Sequence, residues 1–322
     1  GTTIGTITGK DGAFTINKPA NKSTKLVISF VGYKNDTVEV KRKKDNLHIV
    51  LTSSNELNEV VVNEHLGGAY ISTIQPLKTE VITNHGLQKL ACCNLSESFE
   101  NSATIDVGYS DAVSGAKQIK MLGLAGVYSQ LLNENIPSIR GLATAYGLNY
   151  VPGSWMESIQ ISKGTASVIN GYESLTGQIN IELKKPQKSE KLFVNLYGNS
   201  KLKSEANINA AIKINEKWST MLLLHGSRFN NPFDHNGDGF IDKPLLSQYN
   251  IINRWSYETE KMHSQFGINM LQESRQGGQK AYFDAEDNSG LYGIDVDTRR
   301  AQLFAKTGFR FHRPATSLGL MA

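Results

Sequence analysis

From about Glu190 the chain alternates apolar and polar residues over runs longer than most soluble strands. Ala206, Ile208, Ala210, Ile212 and Ile214 share one face of an extended segment, with Asn207, Asn209 and Lys213 opposite. Met262, Ser264, Phe266, Ile268 and Met270 alternate with His263, Gln265 and Asn269, and Leu303, Ala305, Thr307, Phe309 and Phe311 with Lys306 and Arg310. Period-two patterning of this kind predicts strands with one apolar face. About six strands of roughly 10 to 13 residues are expected, long enough to cross a bilayer when tilted. The links near Asn215-Glu216-Lys217 and Thr259-Glu260 are tight, whereas 230–247 and 275–298 are long. That asymmetry fits short turns on one side of a membrane barrel and long loops on the other. A soluble antiparallel sandwich is the competing fold, but its strands run nearer 5 or 6 residues.

The preceding residues read differently. Residues 1–52 carry short strands at 3–8, 13–16, 25–30, 37–40 and 47–51 with a Gly9-Lys10-Asp11-Gly12 turn, which predicts a β-sandwich. Residues 53–66 are linker-like around the β-prone patch Glu59-Val60-Val61-Val62. Residues 67–186 mix both periods. Short helices are expected at 84–90 and 94–99, the second capped by Asn94 with Glu97 three residues on. A Gly-rich loop is expected at 105–115, strands at 117–122 and 127–132, and a second loop over 138–150. Strands 156–162 and 178–183 follow, the first preceded by a Pro152-Gly153 turn. Residues 187–322 hold the barrel strands. The fold class is mainly β, with an α+β domain between the sandwich and the incomplete barrel.

Two stretches carry a family resemblance. The order of strand, Lys163-Gly164 turn, small-residue segment, Gly171-Tyr172 corner, Gln178–Leu183 strand and Lys184-Lys185-Pro186 stop resembles the end of the plug domain of TonB-dependent outer-membrane receptors. The run from Thr8-Gly9-Lys10-Asp11-Gly12-Ala13-Phe14 to Ser29-Phe30-Val31-Gly32-Tyr33 resembles the carboxypeptidase-regulatory-like module placed ahead of such plugs in Bacteroidetes-type receptors. That module's usual first strand is not visible, so a clipped N-terminus is expected. Six strands cannot close around a plug, and plugged transporters use about 22, so a longer parent is expected too. The resemblance implies active import of a ligand across the outer membrane. The ligand it implies is a metal complex of the siderophore, haem or cobalamin type. TonB and its inner-membrane energising complex would pull on Glu59, Val60, Val61 and Val62, an extended peptide suited to strand addition. An edge strand is the other reading of those four residues. Apical plug loops would meet the ligand through Tyr109, Asp111, Arg140, Tyr146 and Tyr150, each of which is otherwise a plug-to-wall contact. An oligosaccharide importer is the alternative within the class, and a surface adhesin or glycan-binding protein outside it.

One further motif stands out. Asp234, Asn236, Asp238, Phe240 and Asp242 occupy the ligand positions of a calcium loop of the EF-hand type, with Gly239 at the sharp turn. Leu245 stands where the bidentate Glu belongs, so a complete EF-hand is excluded. A weak structural calcium site and a loop of Asx-turns both stay open, and no other cofactor is required. The adjacent Cys92-Cys93 pair cannot close a loop. Two small packed residues are the plain reading, and a vicinal disulfide or soft-metal pair the sharper one. A net charge of +4 without a basic stripe argues against nucleic acid; the Lys41–Lys44 cluster reads as a hairpin turn. No G-x-S-x-G, Walker A, H-E-x-x-H or dinucleotide glycine fingerprint occurs, so a non-enzyme is expected.

Overall fold

A computed structural model describes residues 4–16, 24–31, 33–40, 47–52, 68–72, 78–89, 94–100, 102–165, 173–311 and 316–322. The chain divides into two units, Gly1–His65 and Leu66–Ala322. Glu59–Val62, Lys41–Lys44, Cys92-Cys93 and the Gly171-Tyr172 corner lie outside the described residues.

In the first unit β1 (Thr24–Ile28) pairs antiparallel with β2 (Asp36–Val40), Leu26 opposite Val38. The Asp-Gly turn forms as expected: Gly12 donates to Gly9 O at 3.0 Å, Gly9 to Ala13 O at 2.9 Å, and Asp11 Oδ1 accepts from Ala13 N–H. The described parts of the other three expected strands, at 4–8, 13–16 and 47–51, run without a ladder. Most of their side chains are exposed, so no buried face holds them in register.

The second unit opens with the mixed domain. Its elements are β3 (Ala69–Ser72), β4 (Thr79–Thr83), α1 (Asn84–Lys89), β5 (Ile105–Asp111), β6 (Ala116–Met121) and β7 (Leu124–Ala125). Then come β8 (Ser129–Asn133), β9 (Ile136–Pro137), β10 (Met156–Lys163) and β11 (Gly177–Leu183). Six of them form one sheet in the order β3-β4-β10-β11-β8-β9, with β11 and β8 parallel. Ile159 faces Ile181 and Ile161 faces Ile179 across the β10–β11 hairpin. All four are buried with Trp155, Leu95 and Phe99, each isoleucine contributing about 1.5–3 kcal/mol on burial. The helix expected at 94–99 shortens to a 3-10 turn over Glu97–Phe99 with Ser96 at its N-cap. Asn94 lies before it, its Oδ1 accepting the Glu97 N–H at 3.3 Å and its Nδ2 donating to Glu97 Oε1 at 3.1 Å.

Two expectations about strands are corrected as well. Residues 105–111 are a strand, paired with β6 as a hairpin, because Ile105 and Val107 pack toward the core while Ser114 and Gly115 supply the turn. The strand expected from Val127 starts at Ser129, after a 3-10 turn over Gly126–Tyr128.

A seven-stranded antiparallel meander follows: β12 (Leu192–Gly198), β13 (Lys203–Lys213), β14 (Trp218–Phe229), β15 (Leu245–Glu258), β16 (Met262–Gly278), β17 (Gly293–Arg310) and β18 (Ser317–Met321). A short α2 (Lys280–Asp284) lies between β16 and β17. Tight links at 214–217 and 259–261 sit at one end, and the longer loops 230–244 and 279–292 at the other. On β13 to β16 one side-chain phase is buried against the plug and the other is largely exposed. β16 and β17 are 17 and 18 residues long, beyond the expected length. Their outer faces change character at the Met270–Ala301 pair. Below it stand Phe266, Ile268 and Leu303; above it Gln272, Ser274, Asp297 and Arg299. The hairpin therefore continues past an apolar band into water. At the tight-turn end Trp218 packs against Trp255, Tyr257 and Phe266, a cluster suited to a membrane interface.

Candidate functional site

The plug-facing side of the wall is polar around an apolar patch of Ala211, Met221, Leu223 and Ile252 that joins the plug core, and its polar side chains grip plug backbone. Asn209 donates to Ser154 O at 3.1 Å, Gln248 to Asn149 O at 3.1 Å, Asn250 to Tyr150 O at 2.9 Å and Arg300 to Ser138 O at 2.8 Å. The strongest contact is ionic. Glu134, at the tip of the β8–β9 hairpin, accepts a bidentate pair from Arg254 at 2.8 and 3.1 Å, and Lys306 lies 3.3 Å from its other oxygen. Arg254 also donates to Lys184 O and Gln265 Oε1. Burial pushes the Glu134 carboxyl up, but the Arg254 guanidinium and Lys306 ammonium outweigh it and hold it below the usual carboxylate value.

Toward the long-loop end the seam opens into a cleft with about 900 Å³ of empty space, open to solvent. Tyr109 and Lys117 of the β5–β6 hairpin form its plug side. Lys201, Lys203, Lys243 and Arg275 come from the wall and loops, with Phe229 and Phe233 beside them. Lys203, Phe229, Leu246 and Arg275 stand in one row across β13 to β16, which places them at one height. Three ammonium groups lie over aromatic rings: Lys201 over Phe233 at 4.5 Å, Lys117 over Tyr109 at 5.5 Å and Lys203 over Tyr197 at 5.7 Å. Burial pushes the Lys117 ammonium below its ordinary pKa, partly countered by Glu97, and its Nζ donates to Ser96 Oγ at 2.8 Å. The cleft still holds more cations than carboxylates: Glu97 and Glu205 line it, Glu205 pairing with Lys203, and Glu273 behind it pairs with Arg275 at 3.2 Å.

Of the five residues expected at the ligand, Tyr109 borders this cleft and is 60% exposed. Asp111 braces the hairpin turn, accepting the Val113 and Ser114 N–H groups and the Ser114 hydroxyl, which holds its carboxyl below the usual range. Arg140 pairs with Glu173 of the plug itself at 2.7 Å. The Tyr146 ring lies 5.0 Å under the Arg275 guanidinium. Tyr150 is buried, its hydroxyl 3.5 Å from Thr298 on β17. The cleft cations went unread in the sequence, although Lys203 and Arg275 occupy the plug-facing phase of their strands, where a charge is conspicuous. Glu134 carried a subtler signal: a two-residue Glu-Asn turn between short strands.

In the 234–242 loop the acidic oxygens engage the loop's own backbone. Asp234 accepts from Gly237 and Gly239 N–H at 2.7 and 2.8 Å, and these bonds, Gly239's foremost, hold its carboxyl below the usual range. Asn236 accepts from Asp238, Asp238 from Phe240, and Asp242 from His235. Among the described residues no group of three or more His, Cys, Asp or Glu side chains is arranged to hold a metal ion.

Comparison with known proteins gives the architecture its relatives. The family model for the CarboxypepD_reg-like domain matches residues 1–62, a span that includes Glu59–Val62, and that for the TonB-dependent receptor plug domain matches residues 74–178. A search of curated proteins returned no match. Among solved structures, Pseudomonas aeruginosa FpvA bound to a heterologous pyoverdine and iron aligns with a TM-score of 0.60 at 14% identity, over 75% of this chain and 33% of that one. The siderophore receptor PirA from Acinetobacter baumannii aligns at 0.56 and 19% identity, over 73% and 38%. The copper transporter OprC aligns at 0.57 and 13% identity, over 77% and 36%. The chain thus spans about a third of the length of the solved structures it matches. The chain therefore carries a TonB-dependent receptor plug domain behind a CarboxypepD_reg-like domain and ahead of a barrel-type sheet, in a fold shared with solved siderophore and copper receptors.

Proposed function

We propose that the full-length receptor imports a metal complex across the outer membrane, driven by TonB and the inner-membrane proton gradient, and that it is not an enzyme. The basic cleft over the plug carries this reading. Five cations, Lys117, Lys201, Lys203, Lys243 and Arg275, stand around it against three carboxylates, Glu97, Glu205 and the Arg275 partner Glu273. A cleft of one sign concentrates ligands of the other, which favours an anionic chelate of the siderophore or haem type over a neutral glycan. The names of the siderophore and copper receptors that share the fold point the same way. Among the plug residues, Tyr109 is the ligand contact this reading favours. Arg140, engaged by Glu173, is expected to contribute little.

Calorimetry on the full-length protein in detergent, with ferric chelates and oligosaccharides as titrants, tests it. Lys201→Ala and Lys117→Ala are expected to weaken chelate binding by about tenfold each, with Arg140→Ala close to wild type. Glycan binding without chelate binding would keep the importer and discard the ligand class. A full-length protein soluble without detergent would favour the adhesin instead.

A further inference from the structure

Phe233 and Lys243 reach the cleft from the two ends of a loop, 234–242, that does not border it. That loop is tied to itself. Asp242 N–H donates to Phe233 O at 2.9 Å, closing its base, and Asp234 gathers the Gly237 and Gly239 N–H groups at 2.7 and 2.8 Å. It is also tied to the second long loop. Ile241 N–H donates to Gly278 O at 3.0 Å, Lys280 N–H to Gly239 O at 2.9 Å, and the Phe240 ring lies 6.2 Å from that of Tyr292. Ile241 is buried beneath the junction. From this anchorage the Phe233 ring sits 6.1 Å from Phe229 and 4.5 Å from the Lys201 ammonium.

We propose that the 234–242 loop is a positioning element that holds Phe233 and Lys243 at the cleft mouth and so sets ligand affinity without touching ligand. Side chains already fixed in their bound arrangement lose less entropy when ligand arrives. The affinity half of this inference rests on the import reading; the positional half does not.

The test combines hydrogen–deuterium exchange of the full-length receptor in detergent with binding of ferric tris-catecholate. Asp234→Ala removes the acceptor of two loop amides. Gly239→Ala acts through the backbone alone, since φ is +86° there and an added Cβ meets nothing within 4 Å. Both are expected to raise exchange in peptides covering 229–233 and 243–246 by about tenfold and to weaken binding by about tenfold. Asp234→Asn, which keeps one acceptor, should restore part of each, and Lys201→Ala should cost less in the Asp234→Ala background than alone. Unchanged exchange at 229–233 in both variants overturns the proposal, as does raised exchange with full affinity. Failure of the wild type to bind any chelate would overturn the ligand class instead, while the exchange comparison still decides the positional claim.

Discussion

Glu134 is held at φ +51° and Asn135 at φ +67°, the two central residues of the β8–β9 turn. Asparagine tolerates that backbone, but for glutamate it is strained. The strain delivers the carboxylate to Arg254, which is 1% exposed, and to Lys306. Removing one partner of a buried pair leaves the other charge stranded, at about 3–5 kcal/mol. Glu134→Gln is therefore expected to lower the guanidinium midpoint for plug release from the full-length receptor, read by protease sensitivity of the plug. The pair also predicts a pH dependence. A carboxyl held low in the folded state stabilises fully above its ordinary value of 4.5 and loses that contribution as pH falls through its folded value. Plug release should accelerate on acidification below 4.5, and Glu134→Gln should flatten that step. A wild-type profile without the step would contradict the role given to Glu134.

The strands divide their labour by phase. Ile208 points outward in the apolar band, while Asn207 and Asn209, one step either side, face the plug. Ile208→Arg should cost about 2–4 kcal/mol of barrel stability at mid-membrane depth, seen as loss of the heat-modifiable folded form in electrophoresis. Asn209→Arg should leave the barrel folded and disturb the plug contact at Ser154 instead. Gly277 marks another close approach: a Cβ there would lie 2.0 Å from Val113 O. Gly277→Ala should push the plug hairpin away from β16, read as faster exchange over 111–116. This wall was legible in the sequence because lipid on one side and plug on the other enforce a strict period of two. The β5 strand was not, since Gly108, Ser110 and Gly115 look like loop while the pairing that makes them a hairpin lies in β6. The cleft was legible only in part. Its Lys and Arg residues come from four separate stretches, and nothing local says that they converge. Asp111 and Arg140 are polar residues on apical segments, yet neighbouring turns and Glu173 engage them, which single-residue reading cannot foresee.

Across the whole molecule the proposed import needs three parts to act together: a basic cleft that would capture ligand, a plug pinned to the wall by Glu134, and a pulled segment ahead of the plug. Under the import proposal that segment would be Glu59–Val62, and it would distinguish a transporter from a passive binder. Strand addition to a partner needs backbone N–H groups at regular spacing, and a proline removes one and bends the strand. The most direct measurement is uptake of an iron-labelled ferric chelate by cells carrying the full-length protein, wild type against Val61→Pro, with surface binding measured in parallel. Import driven through this segment predicts that Val61→Pro binds the chelate as the wild type does but accumulates almost none. Equal uptake by both would contradict it.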